Sequence, residues 1–544
     1  MDNTVQSWWV FPLAFSPKIF DTLDTTLSLS SIATVFFSFA SVATITWLVT
    51  SLLYWTHQGG PAWGKYWRRT SPSSYSAIPG PRGLPFIGSM RIKSGLSHLM
   101  LDALAKRLGA KRLMAFSLGE TRVIVSSHPA VAKDILNSLD FADRPVNHSA
   151  YGLMFHRSIG FAPYGVYWRT LRKIASYHLF CPSQIEISSC HRASIATQMT
   201  SYVRSTAPGK IVQVRGVLRR AALYYIMQSV FGKQYNLSSN DAEVEQLLWM
   251  VDEGYELLGM SNWSDYFPLL AGLDLQRIQS RCANLMPKVN QLVTSIIEEH
   301  RSNSGSRKER DFVDILLSLQ ESEGLSDSDV AAVLWEMIFR GTDAMAVQME
   351  WTLARIVLHP EVQAKIHAEL DQVVGGTKAV TESDSASLVY LQAVIKEVLR
   401  MHPPGPLLAW ARESITDTFV DGRFVPAGTT AMINMWAITH DPEVWQNPDE
   451  FTPERFIADD YDTKSVNFSV MGTDLRLAPF GAGRRSCPGK GMAVAAVGFW
   501  IASLLHEFEL LPVEGKAVDL SELMKLSCEM KVPLEVMVRP RRSL

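Results

Sequence analysis

The 544-residue chain carries 52 Lys and Arg against 54 Asp and Glu, a formal charge of −2, so nothing in it favours nucleic acid or another polyanion as a partner. Its five cysteines (Cys181, Cys190, Cys282, Cys487 and Cys528) are sparse and odd in number, which argues against a disulfide framework and points to a reducing compartment. The length admits roughly two to four domains, or one large helical body.

The chain opens with a signal about location. No charged residue falls between Asp24 and Lys65, and residues 30–55 are long and apolar enough to cross a bilayer as one helix. Trp47, Tyr54 and Trp55 stand towards the far end, as interfacial aromatics do. Lys65, Arg68, Arg69 and Arg82 follow with no acid among them, which orients the remainder to the cytosol. A cleaved signal peptide is the competing reading, kept open by the Ser and Thr residues of the span. Against it, the stretch is too long for an h-region and its basic flank is on the wrong side. The Asn-x-Ser sequons at Asn147, Asn236, Asn262 and Asn467 are then chance matches on a cytosolic body. Residues 78–88, IPGPRGLPFIG, cannot be helix and read as a stiff hinge. The expected organisation is a lumenal segment 1–29, an anchor 30–55, a basic tether and hinge 56–96, and one catalytic body 97–544.

Most of that body has helical period. The clearest stretch begins at Ser326, with Asp329 completing a capping box, and runs to about His359 with Gly341 at its centre. Pro360 opens another helix, to Val374, and a third spans about 387–401 before His402-Pro403-Pro404 stops it. Residues 419–435 read as a hairpin turning at Asp421-Gly422. The fold class is mainly α with small β-sheets.

Near the C-terminus, PFGAGRRSCPGKG places Cys487 among glycines at the mouth of an apolar helix. With Cys487 as N-cap and Pro488 at N1, the free N–H groups and the helix dipole favour a thiolate. Gly481, Gly483 and Gly489 let the backbone approach something flat, and Arg485 can pair an anionic group. A buried structural cysteine is the alternative. Zinc fits poorly, because no second Cys or His has ligand spacing.

The string Phe480-x-x-Gly483-x-Arg485-x-Cys487-x-Gly489 resembles the haem-binding signature of the cytochromes P450. Glu397-Val398-Leu399-Arg400 and Pro453-Glu454-Arg455-Phe456 resemble two further P450 motifs, in the right order. Trp168 and Arg172 match the family's WxxxR helix, and Phe141-Ala142-Asp143-Arg144-Pro145 a short plant P450 motif. The stretches GGPAWGKYW, AKRLMAFSLGETRVIVSS, SIGFAPYGVYWRTLR and EMIFRGTD look like the KLUH/PLASTOCHRON-type subfamily of plant A-type P450s, which is associated with control of organ and seed size. The resemblance runs from the membrane span to about Cys528.

It implies the P450 fold on an N-terminal anchor in the endoplasmic-reticulum membrane, single-pass, with the catalytic domain cytosolic. It implies haem b with Cys487 as axial thiolate, which favours O–O cleavage. It also implies molecular oxygen, and electrons from NADPH through cytochrome P450 reductase. Trp168, Arg172, Arg412 and Arg485 would hold the haem propionates, with Phe480 and Gly483 shaping the loop. Glu397, Arg400 and Arg455 would form one buried ionic network. It implies no defined natural substrate; the expected class is a small apolar molecule, with fatty acid hydroxylation as the family-level suggestion.

The central helix departs from the family's pattern. In Arg340-Gly341-Thr342-Asp343-Ala344 the glycine and the acid match, but Ala344 stands where the family has a hydroxyl that helps hold a proton-delivering water. Thr342 is a poor substitute, because two residues turn the helix by about 200°. Either water or a substrate polar group takes over, with Asp343 supplying protons, or the protein is an isomerase or dehydratase that does not use O2, or a haem-binding sensor without turnover. Arg340 lies one turn before Ala344, on the face expected to look onto the haem, with Met337, Leu407 and Leu408 near by. It either pairs with Glu336 or Asp343 or receives a substrate carboxylate.

Overall fold

The longest run of helical period becomes one 32-residue helix, Asp327–Leu358. The expected capping box starts it: the Asp329 N–H donates to the Ser326 hydroxyl at 3.2 Å, and the Ser326 N–H donates to the Asp329 carboxylate at 2.9 Å. This computed structural model describes residues 29–70, 76–206, 211–239, 241–303, 310–376, 378–408, 410–457 and 468–541. The central helix is buried on nearly every side, as the core element of a large body is. Helix Val214–Phe231 packs across it. A Cβ at Gly341 would come within 2.4 Å of the Ile226 side chain, so the glycine is what permits that approach. Helices Pro360–Val373 and Val389–Met401 follow within a residue or two of expectation.

The sheets are small. One has the strand order Met114–Leu118, Thr121–Ser126, Thr430–Ile433, Arg412–Glu413, and only its middle pair is parallel. The hairpin at Asp421-Gly422 forms between Thr418–Val420 and Arg423–Val425, and both turn residues take positive φ, 50° and 72°. The strand after it, Thr430–Ile433, leaves the hairpin and joins the larger sheet. Local alternation does not encode that choice of partner. The architecture is mainly α with small sheets, as the periodicity predicts.

The chain divides into two units, 1–53 and 54–544. In the first, helix Leu29–Trp55 begins, and its apolar side chains, Phe36, Phe37, Phe39 and Ile45 among them, are exposed. The apolar run Ala33–Trp55 has 23 residues, about 35 Å of helix at 1.5 Å per residue, enough for a bilayer core. Four of its hydroxyls donate back to carbonyls one turn earlier, Ser41 to Phe37 and Thr44 to Ala40 at 2.7 Å, Thr46 to Val42 at 2.8 Å and Thr50 to Thr46 at 2.9 Å, so these four bring no unsatisfied donor into an apolar surrounding. Most of the expected lumenal segment, and the sequon at Asn467, lie outside the described residues.

In the second unit the expected tether needs correction. Residues 61–70 form a helix, Pro61–Thr70, whose Trp63 is buried with its indole N–H on the Phe116 carbonyl at 3.1 Å. A Cβ at Gly80 would strike the Ala115 carbonyl oxygen, so the hinge lies flat on strand Met114–Leu118. The body therefore begins well before Ser97. Its main core surrounds the central helix and the terminal helix Lys490–Glu507, with two smaller clusters about the four-stranded sheet.

Candidate active site

Phe480 to Gly489 form a loop ahead of the terminal helix. Gly481 and Gly483 turn it at φ 68° and 66°, and a Cβ at Gly483 would stand 2.1 Å from the Leu136 carbonyl oxygen. The Cys487 N–H closes the loop on the Phe480 carbonyl at 2.9 Å. This corrects the expectation that Cys487 caps the terminal helix, which starts at Lys490 with Gly489 at its N-cap. The thiol faces a cavity of about 280 Å³ whose wall also includes Phe480, Arg144, Arg172, Arg412, Arg485 and the central helix. Gly483 is outside the wall and acts through the loop's shape.

The four arginines come from four separate segments, and the cavity offers them few anions. Arg485 donates to the Ala142 and Ala162 carbonyls at 3.0 and 2.7 Å, and its guanidinium carbon lies 4.2 Å from the centre of the Trp168 ring. Arg172 donates to the Ser486 carbonyl at 2.7 Å. Arg412 reaches the Ala482 carbonyl at 3.3 Å, while its Nη1 is buried without a partner. Arg144 holds the Trp410 carbonyl at 2.9 Å, and its Nε is likewise orphaned. Burial, reinforced by Arg485 and Arg172, pushes Arg412 down to about 9. Burial first, and Arg172 with it, brings Arg485 to about 10, against the opposing carboxylate of Asp143. Trp168 departs from its expected role: its N–H is spent on the Ile159 carbonyl at 2.9 Å and it is outside the cavity wall, so it supports Arg485 instead.

On the central helix, Met337, Arg340, Gly341 and Ala344 line the cavity. Thr342 is fully buried with its hydroxyl on the Ile338 carbonyl at 2.7 Å. Asp343 is outside the wall and pairs with Arg219 Nε at 3.6 Å. Burial pushes its carboxyl up to about 6, against the pull of Arg219. Of its two expected partners Arg340 takes Glu336, at 3.6 Å, and Glu336 also accepts the Gly160 N–H at 2.8 Å. Leu408 lines the cavity, whereas Leu407 packs under the four-stranded sheet. The tight Gly405–Leu408 turn, with φ 57° at Leu408, separates the two.

A thiol on one wall, a ring of buried arginines and a helix with a small-residue face opposite is the setting of a flat, anionic, metal-bearing group. The family model for cytochrome P450 matches residues 78–534. The chain belongs to the cytochrome P450 family. It is 59% identical to cytochrome P450 78A9 of Arabidopsis thaliana over 505 residues, 92% of this chain and 94% of that one. It is 58% identical to cytochrome P450 78A3 of Glycine max (91% and 94%) and 46% identical to cytochrome P450 78A1 of Zea mays (98% and 97%). Within the family it is a plant A-type P450 of the 78A, KLUH/PLASTOCHRON-type, subfamily. A solved zebra fish cytochrome P450, in a structure with abiraterone, aligns with a TM-score of 0.70 at 25% identity, covering 82% of this chain and 100% of that one. The protein is a P450 monooxygenase, with haem as its cofactor.

The P450 cavity fits haem on its own chemistry. The orphaned Nη1 of Arg412 and Nε of Arg144, beside Arg172 and Arg485, await carboxylates, and haem carries two propionates. Cys487 is the one cysteine in the wall. Cys528 is elsewhere, on strand Cys528–Met530, grouped with His98 and Glu522, and burial raises its thiol far above the ordinary range. The expected ionic network assembles. Arg400 binds Glu397 through two bonds of 2.8 Å, Arg455 adds a third at 3.1 Å, and both arginines also hold carbonyls of the segment 439–450.

Arg144, Trp410, Glu336 and Gln348 line the cavity without having been singled out for it. Arg144 sits inside the FADRP motif, which was the available signal. Gln348 lies one turn past Ala344, and the same helical spacing that ties Arg340 to Ala344 could have found it.

Proposed function

We propose that this P450, anchored in the endoplasmic-reticulum membrane with its body in the cytosol, carries haem on the Cys487 thiolate. It takes electrons from NADPH through cytochrome P450 reductase and inserts one atom of O2 into a small apolar substrate of the fatty acid class, in the control of plant organ and seed growth. The observation that carries the chemistry is the convergence of Cys487 and four carboxylate-seeking arginines on one cavity under the central helix. When bound, haem supplies oxygen activation on a thiolate-ligated iron. The chain's own residues do the rest. Arg144, Arg172, Arg412 and Arg485 seat the propionates. Gly341 and Ala344 would leave room in the cavity for the bound group and its substrate, and Asp343, its carboxyl pushed up to about 6, moves protons behind the helix. Met337, Leu408, Ile226 and Val230 give the remaining wall an apolar character that suits a hydrocarbon. The growth role rests on the likeness to the subfamily.

The deciding experiment is spectral and catalytic together. The reduced, CO-bound protein should show the absorption diagnostic of thiolate ligation. Cys487→Ser should lose it, and substitution of Cys181, Cys190, Cys282 or Cys528 should not. A band that survives Cys487→Ser overturns the assignment. Microsomes with reductase, profiled with and without NADPH, then identify the substrate, and products that form without NADPH would mark an isomerase or dehydratase instead.

A further inference from the structure

Gln348 is about 95% buried and lines the same cavity as Cys487, yet neither its amide nitrogen nor its amide oxygen has a hydrogen-bond partner. A buried amide is normally paired, and leaving both ends empty is costly. Met345, Ile395, Leu399 and Val497 are among the apolar residues that line the same cavity. It follows Ala344 by four residues, so the two share a face. Helical side chains lean towards the N-terminus and cover the preceding turn, so Gln348 leans over Ala344, whose side chain ends at Cβ. The other polar groups of this stretch already have contacts of their own. Glu336 accepts the Gly160 N–H at 2.8 Å and faces Arg340 at 3.6 Å, both on turns before Ala344. The Thr342 hydroxyl is on a backbone carbonyl, and Asp343 faces Arg219.

We infer that Gln348 is the positioning residue of the oxygen side: its amide holds, in the space over Ala344, the water through which protons reach the reacting oxygen. The reaction needs such a path. A substrate C–H, O2, NADPH and one proton give the C–OH product, water and NADP+. The second oxygen atom thus leaves as water with two protons, and neither Ala344 nor Thr342 can offer one to the cavity. An amide serves because it donates through nitrogen and accepts through oxygen, so one water can be held in a fixed orientation. The inference rests on the monooxygenase reading and adds the residue that compensates for Ala344.

The test uses the full-length holoenzyme with reductase and dodecanoic acid as probe, in wild type, Gln348→Leu and the double variant Gln348→Leu/Ala344→Thr. Leucine keeps the volume and removes the polar atoms. Peroxide released per NADPH should rise about tenfold in Gln348→Leu, short of the ~10²–10⁴ that a positioned acid contributes, because bulk water partly replaces it. The double variant should bring the ratio back towards wild type, since a hydroxyl at 344 refills the same space. A residue with a merely structural role would not be rescued from one turn away. The second readout needs no turnover: a crystal structure of the holoenzyme should show ordered water on the Gln348 amide, absent in Gln348→Leu. An unchanged peroxide ratio in Gln348→Leu, no rescue by threonine, or an amide without water each overturns the inference. If no variant oxidises NADPH, the reductase-dependent reading has failed instead, and the water on the amide alone decides for or against Gln348.

Discussion

Arg340 projects into the P450's cavity with Glu336 at 3.6 Å and the Trp410 ring centre 5.5 Å from its guanidinium carbon. Neither contact is a hydrogen bond, so the fork keeps donors to offer a carboxylate. Wild type should bind dodecanoic acid more tightly than its methyl ester or alcohol, and Arg340→Ala should lose about tenfold for the acid alone, in line with one charge-assisted bond. Equal loss for all three ligands, read from optical titrations, would make Arg340 structural. Asp343 gives a pH prediction. Its carboxyl, ordinarily near 3.8, is pushed up to about 6 because it is buried, so the folded state binds the proton more tightly than the unfolded chain. Its contribution to stability is therefore complete at low pH and lost as pH rises from about 4 to about 6. NADPH oxidation should inflect near pH 6, and Asp343→Asn should remove the inflection. At this scale the sequence was legible where geometry is local: the turn of the helix already disqualified Thr342. That Asp343 faces away from the cavity was not legible, because the reason is Arg219 on a helix more than a hundred residues earlier.

Among the elements, helix Val389–Met401 delivers Glu397 and Arg400, both fully buried, to the Pro453–Phe456 turn, where Arg455 completes the group. Glu397 accepts from both arginines and from the Thr452 N–H at 2.9 Å, so it is the joint between helix and turn. Glu397→Gln removes a charge from between two cations. Breaking such a buried pair costs about 3–5 kcal/mol, enough to lower the yield of haem-loaded protein and its thermal midpoint. An unshifted midpoint would show that the carbonyls of 439–450 hold the arginines unaided. The N-terminal helix makes a second test. A chain beginning at residue 56 keeps Pro61–Thr70 and should fold. One beginning at residue 76 loses Trp63 from its pocket, a deletion worth about 3–5 kcal/mol by analogy with large-to-small core changes, and should lose secondary structure on mild heating. The capping box at Ser326 and the turn at Asp421-Gly422 were readable because each is complete within a few residues. The helix Pro61–Thr70 is not legible in the sequence, because the pocket for Trp63 is built by strand Met114–Leu118, about fifty residues further on.

Across the whole molecule, the cavity ties distant parts of the chain through like charges. Arg144 follows the early helices and Arg172 lies on helix Val166–His178. Arg412 stands in the four-stranded sheet and Arg485 in the cysteine loop, so more than three hundred residues separate the first from the last. Burial and mutual repulsion depress Arg144 well below the ordinary arginine value, and bring Arg412 to about 9 and Arg485 to about 10. The sign follows from linkage: below about 9 Arg412 and Arg485 are charged in the folded and unfolded chains alike, so the fold carries their full cost at neutral pH. As pH rises past 9 the folded chain binds fewer protons than the unfolded one, and the cost is relieved. The haem-free protein should therefore gain thermal stability between about pH 8 and pH 10, and Arg412→Met should flatten that gain. On the proposed seating, haem would relieve the same strain at neutral pH by bringing two carboxylates, so the loaded protein should show no such rise. Haem dimethyl ester has the same ring and iron without the charges. It should bind at least about tenfold more weakly at pH 7, the equivalent of about 1.4 kcal/mol, and the deficit should shrink in Arg412→Met, where the unpaired cation is gone. Equal affinity for haem and its ester in wild type would mean that the arginines serve the loop carbonyls they already hold, and that the propionates lie elsewhere.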